Sequence, residues 1–177
     1  LAQYKGKLKS GFAWWASKAS VLYPVAILQG ICLILLLRAF NGFTPAEMGK
    51  TVLFACLTSM TFTSIMYFFN ITLGKVGSFL MLVFMVVQLA GSAGTYPVEV
   101  SPSFVAKIHA YVPFTYTVVS FRATISGGRS ITTSIIVMVA LLVIFTILTI
   151  LQFNHMTKRK KAEKVVLFDW LEERGLA

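Results

Sequence analysis

Long charge-free apolar stretches alternate along the chain with short segments that hold nearly all the charges. Lys18 and Arg38, Lys50 and Lys75, Lys75 and Glu99, and Arg129 and Lys158 each bracket an uncharged run of about 19 to 28 residues, rich in Leu, Ile, Val, Phe and Met. A helix needs about 20 mostly apolar residues to cross a bilayer. The pattern predicts an all-α integral membrane fold with four spans, over residues 19–37, 51–73, 78–95 and 130–153. Pro24 is expected in the first turns of its span, where proline disrupts least. Ala26 and Gly30 form a small-xxx-small pair that lets a second helix approach.

The connecting segments carry their own signals. Residues 1–18 hold Lys5, Lys7, Lys9 and Lys18 around Phe12, Trp14 and Trp15, a composition expected of an interfacial segment at the headgroups. Asn41-Gly42 signals a turn, and Thr44-Pro45-Ala46-Glu47 predicts a helix start with Thr44 as N-cap. Gly74-Lys75-Val76-Gly77 predicts a tight turn between the second and third spans.

Residues 96–128 are apolar enough to touch the membrane and too broken to cross it. One short helix is expected after Ser101-Pro102 and is stopped by Pro113. A second is expected over 114–125, stopped by Ser126-Gly127-Gly128. Each holds about 10–12 residues, short of a span. The expectation is a re-entrant or interfacial helical hairpin, tolerated only where protein or a water-filled cavity surrounds it.

Composition agrees with this picture. Only 12% of the 177 residues are charged and 57% are hydrophobic, about half the charge of a soluble domain. The net charge of +10 does not signal nucleic acid. The basic residues sit at the ends of apolar runs, and no nucleic-acid-binding motif accompanies them. With four spans both termini share a side, which collects eleven of the sixteen Lys and Arg residues and is therefore cytoplasmic. The organisation expected is a cytoplasmic segment (1–18), a plasma-membrane domain (19–157) and a basic cytoplasmic tail (158–177), with the broken hairpin outside. The non-Met start suggests a piece of a longer protein.

Candidate chemistry is sparse. No phosphate-binding Gly-x-x-x-x-Gly-Lys-Ser/Thr loop is present, so the chain is not expected to hydrolyse ATP. His109, His155, Cys32 and Cys56 form no metal-ligand spacing, and no nucleophile elbow occurs. No cofactor, metal or enzymatic activity is expected. Gln29, Asn70 and Gln88 lie inside spans, where interhelical hydrogen bonding is favoured over a transport path. Arg122 is expected to snorkel to the interface from a short apolar helix, with pairing to Glu99 or lining of a polar cavity as alternatives.

One ordered set of features resembles a known family. The Gly74-Lys75-Val76-Gly77 turn leads to a span that ends in Gln88-Leu89-Ala90-Gly91-Ser92-Ala93-Gly94-Thr95-Tyr96-Pro97. Val112-Pro113-Phe114-Thr115-Tyr116, Arg122 and Ile125-Ser126-Gly127-Gly128 then precede the last span. This is similar to the C-terminal membrane region of the YhgE/Pip family, the phage infection proteins of Gram-positive bacteria, which itself resembles the permease subunits of type-2 ABC exporters. The resemblance implies a cytoplasmic segment that contacts a separate ATPase, here residues 1–18 with Phe12, Trp14, Trp15 and Lys18, and a broken external hairpin at 96–128. It also implies a homodimer or larger assembly in the bilayer. The function expected from the resemblance is a surface receptor or scaffold used by phage, built on an exporter-permease plan; the alternatives are a working export permease driven by a separate ATPase, and an accessory subunit of type VII secretion of the EsaA kind.

Overall fold

The computed structural model describes residues 10–92, 112–127 and 130–173, with side chains to Arg159. Five helices are seen among the described residues: α1 (Gly11–Asn41), α2 (Met48–Leu73), α3 (Lys75–Gly91), α4 (Pro113–Ser126) and α5 (Thr132–Glu173). Helix α2 packs against the other four, and α1 and α5 also meet each other. Helix α4 lies against α2, α3 and α5.

The bundle is inverted relative to a soluble protein. Thr51, Thr61, Ser64, Gln88, Ser120, Thr124 and Thr149 are nearly inaccessible, while Leu28, Leu36, Phe79, Leu82, Ile136 and Leu151 stand exposed. Most of these hydroxyls bond back to their own helix, as Thr149 does to the Phe145 carbonyl (2.6 Å) and Thr61 to that of Leu57 (2.8 Å), whereas the Ser120 hydroxyl is buried without a partner among the described residues. An apolar exterior of this extent suits a hydrocarbon solvent. Three helices are long and apolar enough to cross it: Gly11–Asn41, Met48–Leu73 and Thr132–Arg159 of α5. The third expected span is instead the 17-residue α3, which begins three residues earlier and ends four residues earlier than expected.

Helix boundaries depart from the sequence expectations in three places. Helix α1 begins at Gly11, where the Ser10 hydroxyl accepts from the Ala13 N–H (3.1 Å), and has no break at Lys18. Residues 11–18 of the basic aromatic segment are thus the first two turns of the span helix, and Pro24 lies in the helix interior. Helix α2 begins at Met48, with Glu47 rather than Thr44 at the N-cap. Helix α5 continues through Lys158 and Arg159 to Glu173 instead of ending near Phe153.

Close approach of the helices is set by glycine. At Gly30 of α1 a Cβ would stand 2.9 Å from the Cys56 nitrogen and 3.0 Å from the Ala55 carbonyl of α2. This is the approach expected of the Ala26/Gly30 pair, and Ala26 is buried beside it. At the basic end Trp14, Tyr67, Ile71 and Phe153 form the aromatic core that ties α1, α2 and α5 together. The Trp14 and Phe153 rings meet edge to face at 4.9 Å.

Candidate functional site: the seat of helix α4

The two ends of the bundle are fixed by chain direction. One end carries Lys18, Lys75 and Lys158; the other carries Arg38, Glu47 and Lys50, and is called the loop end. Gly42 closes α1 at the loop end with φ +61°, its N–H on the Leu37 carbonyl, as the Asn41-Gly42 signal implies. Gly74 makes the opposite reversal alone, with φ +58°, a region favourable to glycine. Its N–H closes on the Asn70 carbonyl (2.9 Å), and the Ser78 hydroxyl donates to Asn70 Oδ1 across the hairpin. Lys75 is thus already the first residue of α3, and Gly77 is pressed against the Phe69 carbonyl. Gly77, Met81, Phe84, Gln88 and Gly91 form the inward stripe of α3, the only positions of that helix that are not exposed.

Helix α4 runs antiparallel to α2. Phe121 meets Phe54 (5.4 Å between ring centroids) and Phe114 meets Phe62 (5.3 Å). Phe62 is about 21 Å along α2 from Met48, and Gln88 is about 20 Å along α3 from Lys75, at 1.5 Å per residue. The α4 N-terminus therefore sits at mid-height of the bundle and its C-terminus at the loop end. Pro113 opens the helix, where its missing N–H costs nothing. The first free amide, that of Phe114, donates to Oε1 of Gln88 (3.3 Å), whose side chain is 2% exposed. A side chain 26 residues earlier thereby takes the capping role that Val112 cannot fill.

The far end of α4 is stitched to the α1–α2 loop. The Thr124 and Ile125 carbonyls have no acceptor role inside their own helix and accept from the Glu47 and Ala46 N–H groups (3.1 Å each). Two orphan donors before α2 and two orphan acceptors ending α4 satisfy each other. Gly127 completes the stop with φ +76°, and a Cβ there would touch that of Ala46 at 3.4 Å. Between these ends α4 turns its hydroxyls inward: Thr115, Thr117, Ser120 and Thr124 are buried, whereas Val119 and Ile125 are exposed.

The candidate residues divide accordingly. Gln88, Gly91, Ser92 and Pro113 are brought together at the α3–α4 junction, all buried, with the Ser92 N–H on the Gln88 carbonyl (3.0 Å). Tyr116 is half-buried on α4, and Arg122 lies on the exposed face near its C-terminus. At the basic end Phe12 is exposed and Lys18 partly so, Trp15 packs at the margin of the aromatic core, and Trp14 is inside it. Trp14 is therefore committed to the chain's own core and offers a partner no surface. Gly94, Pro97, Gly128, His109, Glu99, residues 1–9 and the first helix expected in the hairpin lie outside the described residues. Asn70 makes the hairpin bond expected of it, whereas Gln29 is exposed on α1. Ala46, Glu47 and Phe62 complete the seat of α4; the sequence marked Ala46 and Glu47 only as part of a helix start, because their role here rests on backbone amides and that of Phe62 on register across helices. Among the described residues no group of His, Cys, Asp or Glu is placed to hold a metal ion.

Three long apolar helices with α2 at their centre, the shorter apolar α3 and the half-length α4 seated on one buried side-chain amide make a helical domain suited to a membrane. The chain belongs to the ABC-2 family transporter proteins, whose family pattern matches residues 9–151. It is also similar to the "Uncharacterized protein YhgE" of Bacillus subtilis (strain 168), with 34% identity over 128 residues. That match covers 72% of this chain and 16% of the relative, so the chain spans about a sixth of the relative's length. No solved structure matches the chain.

Proposed function

We propose that this chain is the membrane domain of an export permease of the ABC-2 type, driven by a separate ATPase, with α3 as a fourth span and α4 as a re-entrant helix. The observation that carries this reading is the seat of α4: a 14-residue helix begins at mid-height of the bundle on Gln88 and ends at the loop end. Irregular backbone at that depth is tolerated where protein surrounds it, and it marks the part of a transporter that can rearrange. Helix α3, at about 26 Å, is at the lower limit for a span. Its outward residues Phe79, Leu82, Met85 and Val86 offer a face to the second half of a homodimer. The four-span reading puts eleven of the sixteen basic residues on the side of Lys75, which favours a cytoplasmic location for both termini, in a cell membrane.

The chain has no phosphate-binding loop, so the work would come from a partner. Phe12 and Lys18, at the cytoplasmic start of α1, are the contact proposed for it. A force applied there passes directly into a span, because α1 is continuous from Gly11 to Asn41.

Pull-down of the tagged full-length protein from cross-linked native membranes tests this. An ATPase should copurify, and Phe12→Ala should lower its recovery by about tenfold, the effect of losing an exposed aromatic anchor. Phe12 is 57% exposed, so the fold should survive. Recovery of no ATPase would favour the receptor or scaffold use that the family resemblance implies, with phage contacts at the outer surface. Secretion-machine subunits in its place would favour the type VII accessory reading.

A further inference from the structure

Between the first turns of α2 and the start of α5 lies a half-open cleft of about 410 Å³. This is within the range of small-ligand sites. Its lining changes character along the helix axes. Lys50, Ser130 and Thr132 lie at the loop end; Leu53, Leu57 and Ile135 line the part nearer the middle of the bundle. Such a gradient fits an amphiphile with its head at the interface and its chain along the helices.

The polar end favours an anion. Lys50 has one proton on Glu47 (2.9 Å) and further protons to offer. The first turn of α2, which brings Lys50 to the cleft, receives no side-chain cap, and the positive end of a helix favours an anion. The hydroxyls of Ser130 and Thr132 are bonded to each other at 2.9 Å and keep acceptor and donor capacity. Among the described residues at this end, Arg38 and Lys50 stand beside one acid, Glu47. We propose that the cleft binds an anionic phospholipid of the surrounding leaflet, with its phosphate at Lys50, Ser130 and Thr132 and an acyl chain over Leu53, Leu57 and Ile135.

The full chain would be exchanged into micelles containing equal phosphatidylglycerol and phosphatidylcholine, and the lipids retained counted by native mass spectrometry. Phosphatidylglycerol should be retained about fivefold over phosphatidylcholine, the preference one basic residue supplies near a membrane surface. Lys50→Gln should remove that preference. Glu47→Gln should raise it, because the competing carboxylate is gone. Ile135→Trp should fill the cleft and lower retention of both lipids, and Lys75→Gln, at the opposite end, should change nothing. Lys50 is exposed, so its variant reads the site even where Ile135→Trp fails to fold. Equal retention of the two lipids, a preference that survives Lys50→Gln, or a second copy of the chain found covering the cleft would overturn the proposal.

Discussion

Replacing Gly77 with alanine is expected to force the α2–α3 hairpin open. The added methyl would overlap the Phe69 carbonyl oxygen, stand 2.7 Å from its carbon and 3.2 Å from the Asn70 nitrogen. All three atoms are backbone, so no side-chain rotation relieves them, and α3 must move bodily. Overpacking of this kind costs about 3 kcal/mol or more, a large fraction of the roughly 5–15 kcal/mol that holds a typical domain together. Gly49→Ala is the matched control. Nothing lies within 4 Å of its Cβ position, and it sits in a helix, so that variant should be neutral or stabilised by about 0.5–1 kcal/mol. Thermal unfolding in detergent should separate the two variants. Equal midpoints would show that α3 is not pinned at Gly77.

The second large effect is expected at Gln88. Leucine there leaves the part-buried Phe114 amide without its acceptor, at a cost of about 1 kcal/mol. The loss falls on the first turn of α4 alone, so amide exchange at Phe114 should accelerate about fivefold while the middle of α2 stays protected. Gln88→Glu keeps an acceptor and sets it at the positive end of a helix, which should recover part of the protection. The recovery should be incomplete because a buried charge is costly. Unchanged exchange at Phe114 in the leucine variant would mean that Gln88 does not seat α4. In the export reading both variants impair transport for one reason: α3 and α4 lose their common register.

Much of the fold was legible because bilayer solvent imposes a simple pattern. The charge-free gaps foretell α1, α2 and α5, since length and hydropathy are nearly sufficient for a span. Gly42, Gly74 and Gly127 sit where turn chemistry puts them, each with positive φ. The short helix ending at Gly127, expected over 114–125, is found at Pro113–Ser126. What was hidden depends on contacts between distant residues. A basic aromatic stretch looks interfacial on its own. Trp14 turns inward because Phe153, far along the chain on the last helix, offers it a ring, and no local pattern announces that. Thr44-Pro45 has the composition of a helix start, yet α4 carbonyls claim the Ala46 and Glu47 amides and α2 begins after them. Gln88 could be read as glue for some helix; its partner, the Phe114 amide, could not be named, because a proline one position earlier determines which amide is first.

Helix α4 spans only the half of the bundle between Gln88 and the loop end, and thiol accessibility tests that most directly. With Cys32 and Cys56 replaced by alanine, single cysteines at positions 114 and 125 would be treated with a membrane-impermeant maleimide from each side of sealed vesicles. Ile125→Cys should react from the outer side only, and Phe114→Cys should be protected from both. Reaction of Phe114→Cys from the cytoplasmic side would make α4 part of a full crossing. Equal reaction of both positions from outside would lay it on the surface, and either result would contradict a re-entrant helix.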